Sequence, residues 1–80
     1  MSSTAHVSSL IVRARPEQAD AVAQSLTKIA GLEVHAVQDG KIIVVLEAPT
    51  HSGLAESIDA IRAEPGVLLV NLIYHEVETT

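Results

Sequence analysis

A β-hairpin is predicted by residues 32–47, Leu32-Glu-Val-His-Ala-Val-Gln-Asp-Gly-Lys-Ile-Ile-Val-Val-Leu-Glu47. Asp39-Gly40 separates two apolar runs there, and this dipeptide is typical of a two-residue turn whose positions need positive φ. The turn also sets the register, because side chains alternate between the two faces of a strand. On one face we expect Ala36 opposite Ile43 and Val34 opposite Val45. On the other face we expect His35 opposite Val44 and Glu33 opposite Leu46.

The segments around the hairpin each predict one strand and one helix. Residues 6–13 form a short apolar run before Pro16, which suits the first position of a helix. Apolar residues then recur at helical spacing until Gly31, at Ala19, Val22, Leu26 and Ile29. A second helix is expected from Thr50 or Ser52 up to Pro65-Gly66, with Leu54, Ile58 and Ile61 on its apolar face. Residues 67–74 are apolar again and predict the last strand.

The predicted order of elements is strand, helix, strand, strand, helix, strand. Two right-handed strand-helix-strand units joined by a hairpin give an α+β, ferredoxin-like split βαβ fold. We expect a four-stranded antiparallel sheet in spatial order 4-1-3-2 with both helices on one face. The chain is interpreted as a single domain, residues 1–80, with a core of about residues 6–76 and polar tails at 1–5 and 77–80.

Composition excludes several classes of function. The 80 residues have a formal net charge of -5, are 48% hydrophobic, and contain one aromatic residue and no cysteine. An acidic chain lacks the cationic face that nucleic-acid binding requires. Without cysteine there is no disulfide, no zinc-thiolate site and no cysteine catalysis. We expect no signal peptide and no membrane insertion, so the protein should stay in the cytoplasm.

The sheet face opposite the helices is the first candidate for function, since nothing predicted covers it. Exposed apolar patches of this kind usually mark a partner site. The residues predicted to form this partner site are Val7, Ser9, Ile11, Glu33, His35, Val44, Leu46, Asn71, Ile73 and His75. Val37, Ile42 and Leu69 are expected on the same face. Arg13 at the end of the first strand favours Leu10 and Val12 pointing inward. A weak homodimer, formed by stacking two such faces, is the competing interpretation.

The edge strands of the sheet are the second candidate. The last strand is apolar and has no proline or lysine to protect its unpaired backbone groups. An extended peptide could add to it as a further strand. Pairing with a second copy, or coverage by the polar tails, would use the same edge.

Signatures of metal binding and catalysis are weak. The four histidines, His6, His35, His51 and His75, show no ligand-like spacing, so no metal site is expected. The carboxylate pairs Glu17/Asp20 and Glu56/Asp59 have the spacing of solvated helix faces. The four glycines are isolated from one another, which excludes a phosphate-binding glycine loop. We therefore expect neither an enzyme nor a bound cofactor.

Four segments together resemble the NapD family, over about residues 6–76. They are His6-Val-Ser-Ser-Leu-Ile-Val12, Ile43-Val-Val-Leu-Glu-Ala48, Pro65-Gly-Val67 and Leu72-Ile-Tyr-His75. The resemblance implies a cytoplasmic ferredoxin-like chaperone that binds the twin-arginine signal peptide of the catalytic subunit of periplasmic nitrate reductase. By holding that peptide, such a chaperone delays export until the molybdenum cofactor is inserted. The family resemblance implies no catalytic residue and no cofactor.

An acidic protein with an open apolar face is complementary to two guanidinium groups followed by an apolar stretch. By alternation, Glu33 and Glu76 are the acids nearest to the open face. The main rival is a small-molecule effector or oligomerisation module of the ACT or leucine-responsive-regulator type, which shares the fold. An acylphosphatase-like enzyme is disfavoured because Arg13 and Arg15 lead directly into Pro16 without a glycine loop. A copper carrier is excluded by the lack of cysteine.

Overall fold

The structure is a computed structural model that describes the backbone of residues 4–79 and the side chains of residues 5–73. Its elements follow the predicted order. They are β1 (Thr4–Ala14), a single 3₁₀ turn (Pro16–Gln18), α1 (Ala19–Leu26), β2 (Leu32–Gln38), β3 (Lys41–Ala48), α2 (His51–Ala63) and β4 (Val67–Thr79). Strands β1 and β4 thus reach beyond the expected core of residues 6–76. Within the described residues, no helix is both long and apolar enough to cross a membrane.

The four strands form one sheet in the order β2-β3-β1-β4, with every neighbouring pair antiparallel. This is the predicted order 4-1-3-2. Side chains from α1 and α2 join one core with side chains from a single face of the sheet. The ferredoxin-like split βαβ fold is therefore confirmed, with β2 and β4 at the edges.

The turn at Asp39-Gly40 forms as predicted. Asp39 has φ 51° and Gly40 has φ 80°, so both turn positions lie in the left-handed region that a type I′ turn requires. The N–H of Ala14 donates to the carbonyl oxygen of Gly40 at 2.8 Å. A Cβ atom at position 40 would collide with the carbonyl oxygen of Ala14. Glycine is therefore required both for the turn and for its close approach to the end of β1.

Local hydrogen bonds help to determine where the two helices begin and end. Pro16 starts a 3₁₀ turn, and α1 starts only at Ala19. The α-helix ends at Leu26, before the predicted stop at Gly31, and the Thr27 hydroxyl donates to the carbonyl of Gln24 at 2.6 Å. Such bonds from a side chain to the backbone compete with helical hydrogen bonds. Of the two predicted caps of α2, Thr50 and Ser52, it is Thr50 whose hydroxyl accepts from the N–H of Gly53, at 2.9 Å.

The core lies between the two helices and one face of the sheet. Its fully buried apolar side chains come from both layers, and the largest are Leu10, Leu26, Ile42, Leu46 and Ile61. Smaller residues, including Val12, Val44, Ala19 and Ala23, fill the space between them. Each buried side chain of this size contributes about 1.5 to 3 kcal/mol from the hydrophobic effect. This packing covers one face of the sheet and leaves the other uncovered.

Candidate functional site

The outer face is the sheet face that points away from α1 and α2. Directly paired residues share a face, so the register defines its rows. Four rows of paired residues cross this face. The first row, Glu47-Val7-Glu76, runs across β3, β1 and β4. The other three rows run across β2, β3, β1 and β4, and they are Glu33-Val45-Ser9-Tyr74, Ala36-Ile43-Ile11-Asn71 and Gln38-Lys41-Arg13-Leu69. The side chains of Tyr74 and Glu76 are outside the described part of the chain. The middle rows form an apolar band on β1 and β3.

The predicted faces of β3 were wrong. Ile42, Val44 and Leu46 were expected on the open face, but all three are fully buried in the core. Their neighbours Ile43 and Val45 lie on the outer face instead. Since side chains alternate along a strand, misplacing one residue misplaces every residue. Val44 and Leu46 are therefore core residues and are unable to contact a partner on the outer face.

A β-bulge at His35 explains why β2 and β3 are registered differently from the expectation. Val37 pairs with Ile42 and Ala36 with Ile43, as a two-residue turn requires, but Val34 pairs with Val44. His35 is the extra residue, and its side chain is half exposed. Upstream of the bulge the pairing shifts by one, so that Glu33 lies opposite Val45 and not Leu46. The bulge keeps Val34 against the core, as expected. After the bulge the expected faces were wrong: Val37, expected on the open face, pairs with the buried Ile42 on the helical side, and Ala36 lies on the outer face with Ile43.

The orientation of β1 agrees with the prediction. Leu10 and Val12 are buried, whereas Val7, Ser9 and Ile11 are only partly buried and lie on the outer face. Glu33 on β2 is exposed on the same face. Val7, Ser9, Ile11 and Glu33 thus lie together beside Ile43 and Val45. Peptide binding by these residues stays a prediction.

Strand β4 contains two further bulges. Asn71 is exposed on the outer face opposite Ile11, as expected. Leu68 and Ile73 have no direct partner on β1, and Ile73 is 54% exposed. Ile73 is therefore accessible at the bulge, outside the regular alternation of the strand. His75 pairs with Ser8 along the backbone, and its side chain lies outside the described residues.

Sequence reasoning missed the outer-face residues of β3, although a signal for them was present. Positions 41, 43, 45 and 47 share one face, and the first and last of them are Lys41 and Glu47. Charged residues at both ends of one alternating set indicate the solvated face. The intervening Ile43 and Val45 looked like core residues because both faces of β3 are aliphatic.

The outer face has opposite charges at its two ends. Glu47 and Glu33 lie at the end where β3 finishes, and both are exposed. Lys41 and Arg13 lie directly opposite each other at the end next to the turn, and both are exposed. Neither cation lies within 4.0 Å of a carboxylate in the part of the chain whose side chains are described. The apolar band separates the two ends.

An open cleft of about 950 Å³ adjoins the acidic end of the outer face. Its acidic lining residues are Glu33, Glu47 and Glu56, and no lysine or arginine lines it. The other lining residues are small or apolar, and they include Ala30, Leu32, Ala48 and Pro49. The potential in this region is therefore negative, which favours cationic groups.

The remaining polar residues of the described chain lie apart from the outer face or in pairs. The rings of His6 and His51 contact edge to face, with centroids 5.9 Å apart. No group of three or more potential metal ligands occurs among the described residues. Glu17, Asp20 and Glu56 are exposed on the helical side, and Asp59 pairs with Arg62 at 3.8 Å. These carboxylates match the expected solvated helix faces.

Fold and surface together define a ferredoxin-like α+β domain with an uncovered, charge-polarised sheet face. The model of the NapD protein family matches residues 5–79 of the chain. Chaperone NapD of Escherichia coli strain K12 is 40% identical over 75 residues, which cover 90% of this chain and 85% of that protein. The chain belongs to the NapD family of chaperones.

Two further comparisons agree with this assignment. Chaperone NapD of Paracoccus pantotrophus is 39% identical over 72 residues, covering 90% of this chain and 64% of that longer protein. The solution structure of the Escherichia coli Tat proofreading chaperone NapD matches with a TM-score of 0.87 and 35% identity, over 95% of this chain and 82% of the other. The resemblance inferred from the four sequence segments is therefore confirmed.

Proposed function

We propose that the protein is a cytoplasmic chaperone that binds the twin-arginine signal peptide of the catalytic subunit of periplasmic nitrate reductase. Holding this peptide would delay export until the molybdenum cofactor is inserted into the client. Membership of the NapD family supports the proposal, and one solved relative is described as a Tat proofreading chaperone. The protein itself would act as one domain, residues 1–80, without catalytic residues and without a cofactor of its own.

The observation that favours this function most is the uncovered apolar band on the outer face. Ile43 is 38% exposed there, next to the partly exposed Ile11 and Val45. A signal peptide contains an apolar stretch that needs such a surface, since burying apolar area on both partners is the main favourable term in association. The net charge of -5 complements the cationic part of the peptide.

The residues proposed to contact the peptide follow from the observed outer face. From the predicted set we retain Val7, Ser9, Ile11, Glu33, His35, Asn71 and Ile73, but not His75, because its backbone pairs with Ser8, which is buried on the helical side. Ile43 and Val45 are added because they occupy the centre of the apolar band. A peptide that becomes ordered on this surface spends part of its binding free energy on ordering. Moderate affinity of this kind suits a chaperone that must release its client.

Substitution of the apolar band tests the proposal. Ile43→Glu and Ile11→Glu place a carboxylate where the apolar stretch of the peptide would be buried. An unpaired charge in that position should lower the affinity for a twin-arginine peptide at least about 30-fold, or about 2 kcal/mol. The melting temperature should change little, since both side chains are already partly solvated. Binding is measured by calorimetry and folding by circular dichroism.

Val37→Glu is the matched control for this experiment. Val37 is 37% exposed, close to the 38% of Ile43, and belongs to the same hairpin, but it pairs with Ile42 on the opposite face. The control should bind the peptide normally. If Ile43→Glu and Ile11→Glu are folded and bind as tightly as the control, the outer face is not the binding surface.

A further inference from the structure

We infer that the outer face fixes the direction of a bound peptide, an inference that rests on the proposed function. A segment with cationic side chains ahead of an apolar stretch lies with its cationic end over Glu33 and Glu47. Its apolar stretch then crosses Ile43 and Ile11 and runs toward Lys41 and Arg13.

The acidic end offers carboxylates without competing cations of its own. Glu47 lies opposite Val7, and Glu33 lies opposite Val45 one row further along the face. The only ion pair formed there by the described residues is a long one, 3.9 Å between Glu33 and His35. The adjoining cleft adds Glu56 and contains no basic lining residue. Guanidinium groups entering this end would therefore meet carboxylates that are available for bidentate hydrogen bonds.

The opposite end repels the same groups. Arg13 and Lys41 are directly opposite each other on the outer face, an arrangement of like charges that is unfavourable in a sheet. Neither is paired with a described carboxylate, and although Asp39 lines the same pocket as Lys41, the summed charge of these three side chains is still positive. A peptide placed in reverse would bring its own cations against this pair.

The two ends act independently because of their separation. Glu47 and Lys41 are six positions apart along β3. At about 3.3 Å per residue, this separation is roughly 20 Å. Charges are largely screened beyond about 8 Å at physiological ionic strength. A cation at the acidic end therefore experiences the carboxylates and is scarcely affected by Lys41 or Arg13.

The expected preference for one direction is moderate and measurable. An exposed charge pair changes an equilibrium constant only about 1.4- to 5-fold. Reversing a peptide with two cationic side chains removes two attractions and introduces two repulsions. If the four effects are similar and additive, the favoured direction is populated roughly 4- to 600-fold over the other.

Paramagnetic labels on the peptide test the direction. A nitroxide ahead of the two arginines, or one after the apolar stretch, is bound to ¹⁵N-labelled protein, and the broadening of each amide signal is recorded. The first label should broaden Val7, Glu33 and Glu47, and the second should broaden Arg13 and Lys41. The reverse pattern, or equal broadening of both ends by each label, would overturn the inference while leaving peptide binding intact. A folded protein whose signals do not respond to either peptide would instead refute the proposed function.

Charge reversal provides a second test with a matched control. The double variant Glu33→Lys/Glu47→Lys should weaken binding about tenfold. The double variant Glu17→Lys/Asp20→Lys alters the helical side and changes the net charge from -5 by the same amount, because each double variant replaces two acids with two lysines. It should weaken binding less than about threefold, since the altered charges are remote and screened. Equal losses in the two folded variants would mean that net charge alone attracts the peptide, and the inference would fail.

Discussion

The core depends on aliphatic side chains alone, and Leu26 shows what this means for a single residue. Leu26 is 0% exposed and packs in the cluster that contains Leu46 and Ile61. No phenylalanine or tryptophan occurs in the chain. A small domain buries a lower fraction of its surface than a large one, so each leucine or isoleucine contributes a large share of its stability.

Leu26→Ala should reduce the free energy of unfolding by about 2 to 5 kcal/mol, because it removes three buried carbons and leaves a cavity. The measurement is urea denaturation followed by circular dichroism. Leu69→Ala is the control, since Leu69 is 50% exposed on β4 and should cost less than about 1 kcal/mol. If Leu26→Ala is too unstable to study, Ile61→Val should cost about 0.5 to 1.5 kcal/mol. Losses no larger than that of the control would contradict the assignment of Leu26 to the core.

Among the helices, strands and turns, the features that can be predicted from the sequence are those that depend on residues close together in the chain. The Asp39-Gly40 turn requires positive φ at two adjacent positions, and few other dipeptides adopt it easily. Thr50 caps α2 through a hydrogen bond to a residue three positions ahead. Such features depend on neighbours along the chain, so both were predicted correctly.

The faces of β3 depend instead on packing between distant residues. Ile42, Val44 and Leu46 alternate with Ile43 and Val45, and every one of them is compatible with a core. The helices select one set, and only the charges of Lys41 and Glu47 reveal the choice in advance. The bulge at His35 has no comparable signal, because no special residue type is needed there. The outward positions of β1, together with Glu33 and Asn71, were therefore predictable, and the outer face of β3 was not.

Deletion of His35 tests the bulge. Removing the extra residue leaves Val34 opposite Val44 and Ala36 opposite Ile43, so that the strand becomes regular without changing any face. The variant should fold with a loss of less than about 1 kcal/mol, since the exposed ion pair to Glu33 contributes little. Thermal unfolding measures the difference.

Deletion of Val45 is the contrasting variant for that experiment. β3 has no bulge against β2 at this position, so the deletion would turn Leu46 outward and Glu47 into the core. This protein should not fold. If deleting His35 were equally disruptive, His35 would not be the extra residue.

Two apolar surfaces of the whole molecule remain uncovered within the described residues. One is the apolar band of the outer face, and the other is the β4 edge, where Leu68 is 63% and Leu72 is 59% exposed. The two bulges of β4 interrupt a regular edge, and bulges are one way in which proteins prevent further strand pairing. The geometry therefore favours binding across the outer face over strand addition or self-pairing at the edge.

The distribution of charge over the molecule explains how an acidic chain can bind through an apolar surface. Its net charge of -5 is spread over both faces, but among the described side chains the outer-face carboxylates, Glu33 and Glu47, lie at one end. A ligand attracted by the overall charge would find an apolar band next to the acids. This combination is what a segment with arginines followed by apolar residues requires.

Binding of a twin-arginine signal peptide is best measured by calorimetric titration of the protein with that peptide, beside a copy of the peptide in which both arginines are lysine. Both titrations are made at two temperatures, because burial of apolar surface gives a negative heat-capacity change and ensures a heat signal at one of them. We predict one peptide bound per chain, and weaker binding of the lysine copy, since an ammonium group lacks the bidentate geometry of a guanidinium. Absence of heat with either peptide at both temperatures, in a protein shown to be folded, would contradict the claim.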